Sequence, residues 1–245
     1  MPLILSIVTR PTSPSTREKR VNESFEKPEF FVDGIAAGAI TQGPIGDCWF
    51  LAALATVSGL PRLLEQVCVA RDEPVGVYGF IFFRDGEWIS VVVHDQQEKF
   101  HGDERLYTSV LQNNSGALYY SRCHEPNETW LPLLEKAYAK IHRDYEAISQ
   151  GSTGERVEDI TGGVSSEYFI KDILDPERFW KEELLQVNKD FLFGCSVITM
   201  QSENGAPNNL RHNGLVCNHA YSVLKAVEIN GVCLVFIRWD ASYAL

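Results

Sequence analysis

The 245-residue sequence is poor in basic side chains and has no long apolar run. Its 22 Lys and Arg residues stand against 33 Asp and Glu, which gives a formal net charge of −11. Because surfaces that bind nucleic acids or anionic membranes are rich in Lys and Arg, we expect no nucleic-acid partner. No segment approaches the roughly 18 apolar residues of a membrane span. The apolar start from Pro2 to Val8 lacks the basic stretch of a secretory signal.

Paired cysteines are also missing. No Cys-x-x-Cys pair occurs, and the cysteine density is far below that of a disulfide scaffold. This pattern suits a reducing compartment, so we expect free thiols and a cytoplasmic protein. The apolar share of 44% and the charged share of 22% are ordinary for a globular chain. The six cysteines are Cys48, Cys68, Cys123, Cys195, Cys217 and Cys233.

A glycine-rich turn leads directly into an apolar segment near residue 48. Asp47 is a preferred N-cap residue, and the segment from Cys48 to Val57 has almost no polar side chain. We predict a helix here that is buried on every face. The helix should end at Ser58-Gly59, with Pro61 beyond.

Cys48 lies in the first turn of this predicted helix. Unpaired backbone N–H groups and the positive end of the helix dipole favour a thiolate there, so such a cysteine is a better nucleophile. The side-chain amide of Gln42 and the backbone N–H of Cys48 can converge across the turn, and two such donors form an oxyanion hole. The alternative for this position is a buried structural cysteine.

Several blocks of sequence resemble one protease family. Gln-Gly-x-x-Gly-x-Cys-Trp resembles the nucleophile segment of papain-like cysteine proteases, and QGPIGDCWFLAALATVSG resembles the calpain branch. The resemblance runs from about Phe31 to about Arg238 and implies a calcium-dependent cysteine endopeptidase with protein or peptide substrates. The further blocks are GFIFFRDGEWISVVVHD, LLEKAYAKIHRDYEAISQG, EDITGG, GCSVITM and NHAYSV.

The NHAYSV block places His219 on the catalytic base of the family. Asn218 precedes it, where relatives often have glycine or another small residue. Taken alone, a histidine beside a strand is usually a packed or surface residue, so the assignment rests on the block. As the base, His219 would take the proton of the Cys48 thiol and later protonate the leaving amine.

The resemblance also implies a catalytic asparagine in an Asn-Pro-Trp-Gly motif, which this sequence does not contain. After Arg238 the chain reads Trp-Asp-Ala-Ser-Tyr-Ala-Leu. An imidazole without its orienting partner can lose up to roughly 10⁴ in turnover. We therefore keep two alternatives: an inactive, truncated chain that binds peptides or a partner, and a metal-binding module around Cys217 and His219.

Two further sets of residues follow from the resemblance. For calcium, Val32 and Gly34 match carbonyl ligands and Glu128 matches a carboxylate, but Ala39 stands where the second carboxylate belongs, so we expect weak binding at an incomplete site. For the substrate cleft, Gly162-Gly163 match glycines that hydrogen-bond an extended peptide. A flexible hinge at these two glycines is the compatible alternative.

The predicted fold class is α+β, a papain-like core of two lobes. We assign residues 1–22 to a flexible tail, 23–163 to an N-terminal helical lobe with the cysteine helix, and 164–245 to a truncated antiparallel β lobe that carries His219. Truncation would leave strand edges that a partner could complete.

Individual elements can also be predicted. Asp85-Gly86 and Asn230-Gly231 separate β-forming runs and indicate hairpins. Apolar periodicity predicts a helix from about Pro132 to Ile148, and Asp175-Pro176 predicts the start of a helix that runs to about residue 188. The segment from Cys195 to Met200 is typical of a strand.

Overall fold

The computed structural model has helices and antiparallel sheets, which confirms the predicted α+β class. It describes residues 16–32, 40–41, 48–95, 97–100, 121–125, 127–148, 151–197, 211–212, 215–217 and 219–238. The predicted site residues Gly34, Ala39 and Gln42 and the predicted cap Asp47 lie outside these residues.

The described residues contain six α-helices, two 3₁₀ turns and twelve strands. None of these helices is long and apolar enough to cross a membrane. The 3₁₀ turns are Ile170–Asp172 and Leu184–Gln186. The helices are α1 Val21–Ser24, α2 Cys48–Val57, α3 Pro61–Glu65, α4 Trp130–Ile141, α5 Thr153–Thr161 and α6 Pro176–Glu182.

The strands pair into small antiparallel sheets. Two sheets have three strands, in the orders β3-β4-β5 and β12-β11-β8, and the remaining strands pair as β1-β6, β2-β7 and β10-β9. The strands are β1 Thr16–Lys19, β2 Ile40–Thr41, β3 Cys68–Asp72, β4 Val77–Arg84, β5 Glu87–His94, β6 Gln97–Phe100, β7 Arg122–Cys123, β8 Gly194–Ser196, β9 Arg211–His212, β10 Leu215–Val216, β11 Ala220–Ile229 and β12 Val232–Arg238.

Both predicted hairpins are confirmed. Asp85 (φ 54°) and Gly86 (φ 84°) join β4 to β5, and Asn230 (φ 53°) and Gly231 (φ 75°) join β11 to β12. Two consecutive residues with positive φ match the right-handed twist of the flanking strands. Asp-Gly and Asn-Gly are favoured at these turns because both residues tolerate that conformation.

Helix α2 is buried on every side, as its composition predicts. Each residue from Trp49 to Val57 is at most 5% exposed. The hydroxyls of Thr56 and Ser58 donate to backbone carbonyls of the preceding turn at 2.7 and 2.8 Å, so neither is an unsatisfied buried group. The helix ends at Val57 before a turn, which confirms its predicted boundaries.

The larger hydrophobic core forms around α2. Phe50 stacks on Tyr138 of α4 with ring centroids 4.4 Å apart, and Phe82 of β4 meets the same ring edge-on at 5.4 Å. Helix α2 also packs against α5 and β11. A second, smaller core lies later in the chain, and its buried members are Trp180, Val187, Val223 and Ala226.

The expected flexible tail differs from the structure at its C-terminal end. Within residues 1–22, β1 pairs with β6 and Val21 begins α1. Val21 packs with Phe25, and both are at most 8% exposed. These contacts involve partners that the local polar composition does not indicate, so composition alone places the tail boundary too late.

The glycine-rich stretch from residue 151 to residue 163 is largely helical. It contains α5, whose Ile160 is 1% exposed in the larger core. The helix ends at Thr161, so the hinge alternative at Gly162 and Gly163 stays a prediction. Glycine lowers helix propensity by roughly 1 kcal/mol, but packing against α2 outweighs a penalty of that size.

Two other predicted helices are shorter than expected. Helix α4 ends at Ile141, two residues before Arg143 takes a positive φ of 91°, although Ile148 remains fully buried. Helix α6 begins as predicted, with the Asp175 carboxylate accepting from the Arg178 N–H at 3.0 Å, but it ends at Glu182. The predicted strand at Cys195 is described only as β8, and residues 198–200 lie outside the described ranges.

The substitution Phe50→Ala tests the role of α2 as the centre of the core. Phe50 is fully buried and stacked on Tyr138, so its truncation should lower the free energy of unfolding by about 3–5 kcal/mol. Urea unfolding followed by circular dichroism measures this change. Val164→Ala is the control, because Val164 is 95% exposed and should change stability by less than about 0.5 kcal/mol. Equal effects of the two substitutions would contradict this assignment.

Candidate active site

Cys48 is the first residue of α2. Its side chain is half-buried and packs against the larger core, whereas Trp49 and the residues after it are buried. The thiol therefore lies at the N-terminal end of the helix, where the dipole favours a thiolate. Gln42 lies outside the described residues, so its role as an oxyanion donor stays a prediction.

Asn188 lies between the C-terminal end of α2 and the middle of strand β11. A Cβ on Gly59, just after α2, would lie 2.7 Å from Oδ1 of Asn188. The Asn188 amide in turn donates to the carbonyl of Leu224 in β11 at 2.8 Å. The end of α2 therefore lies beside the middle of β11, with Asn188 between them.

Cys48 and His219 lie at similar distances along their own elements from this contact with Asn188. At about 1.5 Å per helical residue, Cys48 lies roughly 16 Å before Gly59. At about 3.3 Å per strand residue, His219 lies roughly 16 Å before Leu224. Cys48 and Ala220 also pack against the same hydrophobic core. This arrangement favours the pairing of Cys48 with His219, which stays a prediction.

His219 immediately precedes β11 and is half-buried. Its ring meets the ring of Tyr221 edge-on, with centroids 5.4 Å apart and planes at 84°. Burial lowers the pKa of His219 from its ordinary value of 6.5, because a partly desolvated imidazolium is disfavoured. A neutral imidazole at neutral pH is the form that can accept a proton.

Tyr221 anchors the loop that leads to His219, a role that the sequence did not reveal. Its hydroxyl accepts from the Val216 N–H at 2.8 Å and donates to the Val216 carbonyl at 3.2 Å. Cys217, which follows, is 3% exposed. One buried tyrosine therefore bonds the backbone of Val216 and also contacts the His219 ring.

The two predicted cleft glycines lie at the end of α5. Gly162 caps the helix in the left-handed conformation with φ 70°, and its N–H donates to the Glu158 carbonyl at 2.7 Å. A Cβ there would lie 2.9 Å from the ring of Trp88. Glycine is therefore required at residue 162 by both conformation and space. Gly163 is exposed, and its N–H donates to the Thr161 hydroxyl at 3.1 Å.

Val32 and Glu128, two of the predicted calcium ligands, are in contact, but through a hydrogen bond between them. The Val32 N–H, not its carbonyl, donates to the Glu128 carboxylate at 3.2 Å. Burial raises the pKa of Glu128 and outweighs the hydrogen bonds from Val32, Cys123 and Trp130 that act to lower it. Calcium binding at Val32, Gly34 and Glu128 stays a prediction, since Gly34 lies outside the described residues. No group of three or more His, Cys, Asp or Glu side chains suited to a metal occurs among the described residues.

A buried polar cluster joins α5 to α4. Asp159 accepts from the Tyr138 hydroxyl at 2.6 Å and from Arg156 at 2.7 Å. Burial acts to raise the pKa of Asp159, but hydrogen bonds from His142, Tyr138 and Arg156 outweigh it and lower that pKa. The sequence did not predict this cluster because its members come from two helices that only the fold brings together.

A cysteine at the start of a buried helix and a histidine at the start of an adjacent strand are the arrangement of a papain-like cysteine protease. The comparisons with known proteins are more specific. Residues 4–239 match the model of the calpain family of cysteine proteases, and the chain belongs to that family.

Individual relatives agree with this assignment. The chain is 34% identical to Calpain-A of Drosophila melanogaster over 222 residues, which is 89% of this chain and 24% of that protein. It is 37% identical to Calpain-8 of Rattus norvegicus over 229 residues, 90% of this chain and 30% of that protein. It is 36% identical to the Calpain-1 catalytic subunit of Bos taurus over 217 residues, 86% of this chain and 28% of that protein. The chain thus spans 24–30% of the length of these relatives.

From the lowered pKa of His219 we predict how the free energy of unfolding depends on pH. Because the folded state disfavours the imidazolium, the unfolded state takes up a proton first as the pH falls below 6.5. The contribution of His219 to stability is therefore present above pH 6.5 and is lost as the pH falls through the lowered pKa. Urea unfolding at a series of pH values should show a weaker decline between neutral and mildly acidic pH in His219→Gln than in the wild type.

The same substitution at exposed His124 is the control for this measurement. His124→Gln should leave the pH dependence of the wild-type unfolding free energy unchanged. A His219→Gln curve that runs parallel to the wild-type curve would show that burial does not disfavour the His219 imidazolium.

Proposed function

We propose that this chain is a calpain-type cysteine endopeptidase core, with Cys48 as nucleophile and His219 as general base. The observation that supports the proposal is the packing of α2 against β11, the two elements whose starts carry Cys48 and His219. Family membership supports the same reaction class. The six cysteines are free thiols, as expected for the cytoplasm that we propose as its location.

The first step forms a covalent bond. His219 takes the proton of the Cys48 thiol, and the thiolate attacks the carbonyl carbon of a peptide bond. The resulting oxyanion accepts hydrogen bonds from the Cys48 backbone N–H and the Gln42 amide. Collapse of this intermediate breaks the C–N bond, and His219 gives its proton to the leaving amine.

The second step releases the product and restores the enzyme. The acyl group remains on Cys48 as a thioester. His219 takes a proton from a water molecule, whose oxygen attacks the thioester carbonyl through a second oxyanion. The carboxylic acid leaves, and the proton returns to the Cys48 sulfur.

The substrate in this proposal is an extended segment of protein or peptide. Gly163 is exposed beside the rigid αL cap at Gly162, and in this proposal its carbonyl accepts hydrogen bonds from an extended chain, because its N–H already donates to Thr161. Trp88 packs against Gly162 and keeps 44% of its surface exposed, which adds an apolar wall beside the glycines.

A second candidate function is binding without turnover. One face of the β11-β12 hairpin is apolar and exposed, with Ile229, Val232, Leu234 and Phe236 each between 40% and 56% exposed. Adjacent apolar side chains on one sheet face favour coverage by another chain segment. A partner that covers this face is therefore part of the proposal, and the catalytic and binding functions are separated by experiment.

Labelling with a thiol-reactive epoxide tests the activity. The wild type should be modified at Cys48 and should cleave an unfolded protein substrate, whereas Cys48→Ala should show neither. Peptide mapping by mass spectrometry identifies the modified residue. Cys233→Ala is the matched control, since Cys233 is an exposed cysteine outside the site, and it should behave as the wild type.

The outcomes of this experiment are distinct. Cys48-specific labelling without cleavage favours the partner-binding function. An absence of Cys48 labelling above the level of exposed cysteines would contradict the endopeptidase proposal.

We also propose that calcium binds this chain weakly. The support is the donor-rich surroundings of Glu128 and the alanine at residue 39. Titration calorimetry should therefore show no binding in the submicromolar range that the strongest calcium sites reach. Ala39→Asp should strengthen binding and Glu128→Gln should abolish the residual heat. Tight binding by the wild type would contradict the proposal.

A further inference from the structure

Arg156 of α5 lies over the residue that follows the nucleophile. The guanidinium carbon is 4.4 Å from the ring centroid of Trp49 and 5.1 Å from that of Tyr138. The Arg156 side chain is only 11% exposed, so these contacts are largely screened from water. A cation at this distance from an aromatic face is attracted to it, and more strongly where water is excluded.

Polar groups at the edge of the Arg156 guanidinium also hold it in position. Nη1 of Arg156 donates to Asp159 at 2.7 Å and lies 3.2 Å from Nε2 of His142. Asp159 is itself fixed by the Tyr138 hydroxyl at 2.6 Å. The plane of the guanidinium is therefore set by partners on α4 and α5, and it does not depend on the contact with Trp49.

The Trp49 indole has little freedom in any other direction. It is 5% exposed, and a Cβ on Gly151 would lie 2.9 Å from its ring. The rings of Phe50 and Tyr138 meet it edge-on at 6.3 and 6.5 Å. Arg156 supplies a contact on the face of this confined ring.

We propose that Arg156 is a positioning residue that holds the first turn of α2, and with it the Cys48 thiol, by clamping Trp49. The inference rests on the proposed catalytic role of Cys48. The first turn of a helix lacks part of its backbone hydrogen bonding, so side-chain packing decides whether it stays ordered. A nucleophile displaced by a fraction of an ångström reacts more slowly, because rate depends on near-attack geometry.

Because Arg156 belongs to α5, it also links α2 to the proposed substrate cleft. The same helix ends at Gly162, the proposed cleft glycine. The clamp therefore joins the nucleophile helix to the helix that presents the substrate backbone. Lysine cannot replace this function, because an ammonium neither stacks as a plane nor presents a fork of donors.

The substitution Arg156→Lys tests the proposal, since it keeps the charge and removes the planar clamp. The rate of Cys48 alkylation by iodoacetamide, followed by mass spectrometry of the Cys48 peptide, should fall about tenfold, because the planar guanidinium that stacks on Trp49 is lost. In the cleavage assay kcat should fall while KM stays within about twofold, because positioning acts on the reacting atoms. Arg178→Lys is the matched control, since Arg178 pairs with Glu182 on an exposed face of α6 and should leave both rates unchanged.

A double-mutant cycle shows whether Arg156 acts through Trp49. In a Trp49→Phe background the further change Arg156→Lys should alter the alkylation rate by less than about twofold, because the shared contact is already weakened. Asp159→Asn, which releases the guanidinium but leaves the rings in place, should slow alkylation in the same direction. Circular dichroism confirms that each variant is folded at the assay temperature.

Two results would overturn the inference. One is an alkylation rate for folded Arg156→Lys within about twofold of the wild type. The other is an equal loss in the wild-type and Trp49→Phe backgrounds. If the proposed endopeptidase function is wrong, wild-type Cys48 is alkylated but no substrate is cleaved. The alkylation rates of the variants then still decide the role of Arg156.

Discussion

The complete burial of α2 is the constraint on which the rest of the structure depends. A helix that is apolar on every face must be covered on every face, and α3, α4, α5, β8 and β11 supply that cover. Only the first residue, Cys48, keeps substantial contact with solvent. Burial therefore does two things at once, because it forms the larger core and leaves the thiol at the one accessible end of a rigid helix.

The elements that cover α2 also carry the other parts of the candidate site. Strand β11 begins next to His219, and α5 ends at the cleft glycines. The buried cluster of Arg156, Asp159 and Tyr138 joins α5 to α4 over the Trp49 ring. Core packing and site geometry are thus coupled in this chain, so a change in the packing of Trp49 reaches the nucleophile without any contact to substrate.

The Glu128 region shows what local contacts add to the family resemblance. The resemblance matches Glu128 and Val32 to calcium ligands, and the fold does bring them together. Their contact is a hydrogen bond from the Val32 N–H group, and Cys123 and Trp130 also donate to the carboxylate. The local geometry is that of a buried, hydrogen-bonded carboxyl that joins β7 and the start of α4 to the Phe30-Phe31 segment.

The sequence by itself determined the features that depend on neighbouring residues. These are the apolar helix from Cys48 to Val57, the two hairpins with their positive-φ turns, the Asp175 cap and the family to which the chain belongs. Only the tertiary structure decided the helicity of the glycine-rich α5, the pairing of β1 with β6, the Tyr221 anchor and the Arg156 clamp. The physical reason is that caps, turns and periodicity act over a few residues, whereas these other features are stabilised by contacts between residues far apart in the chain.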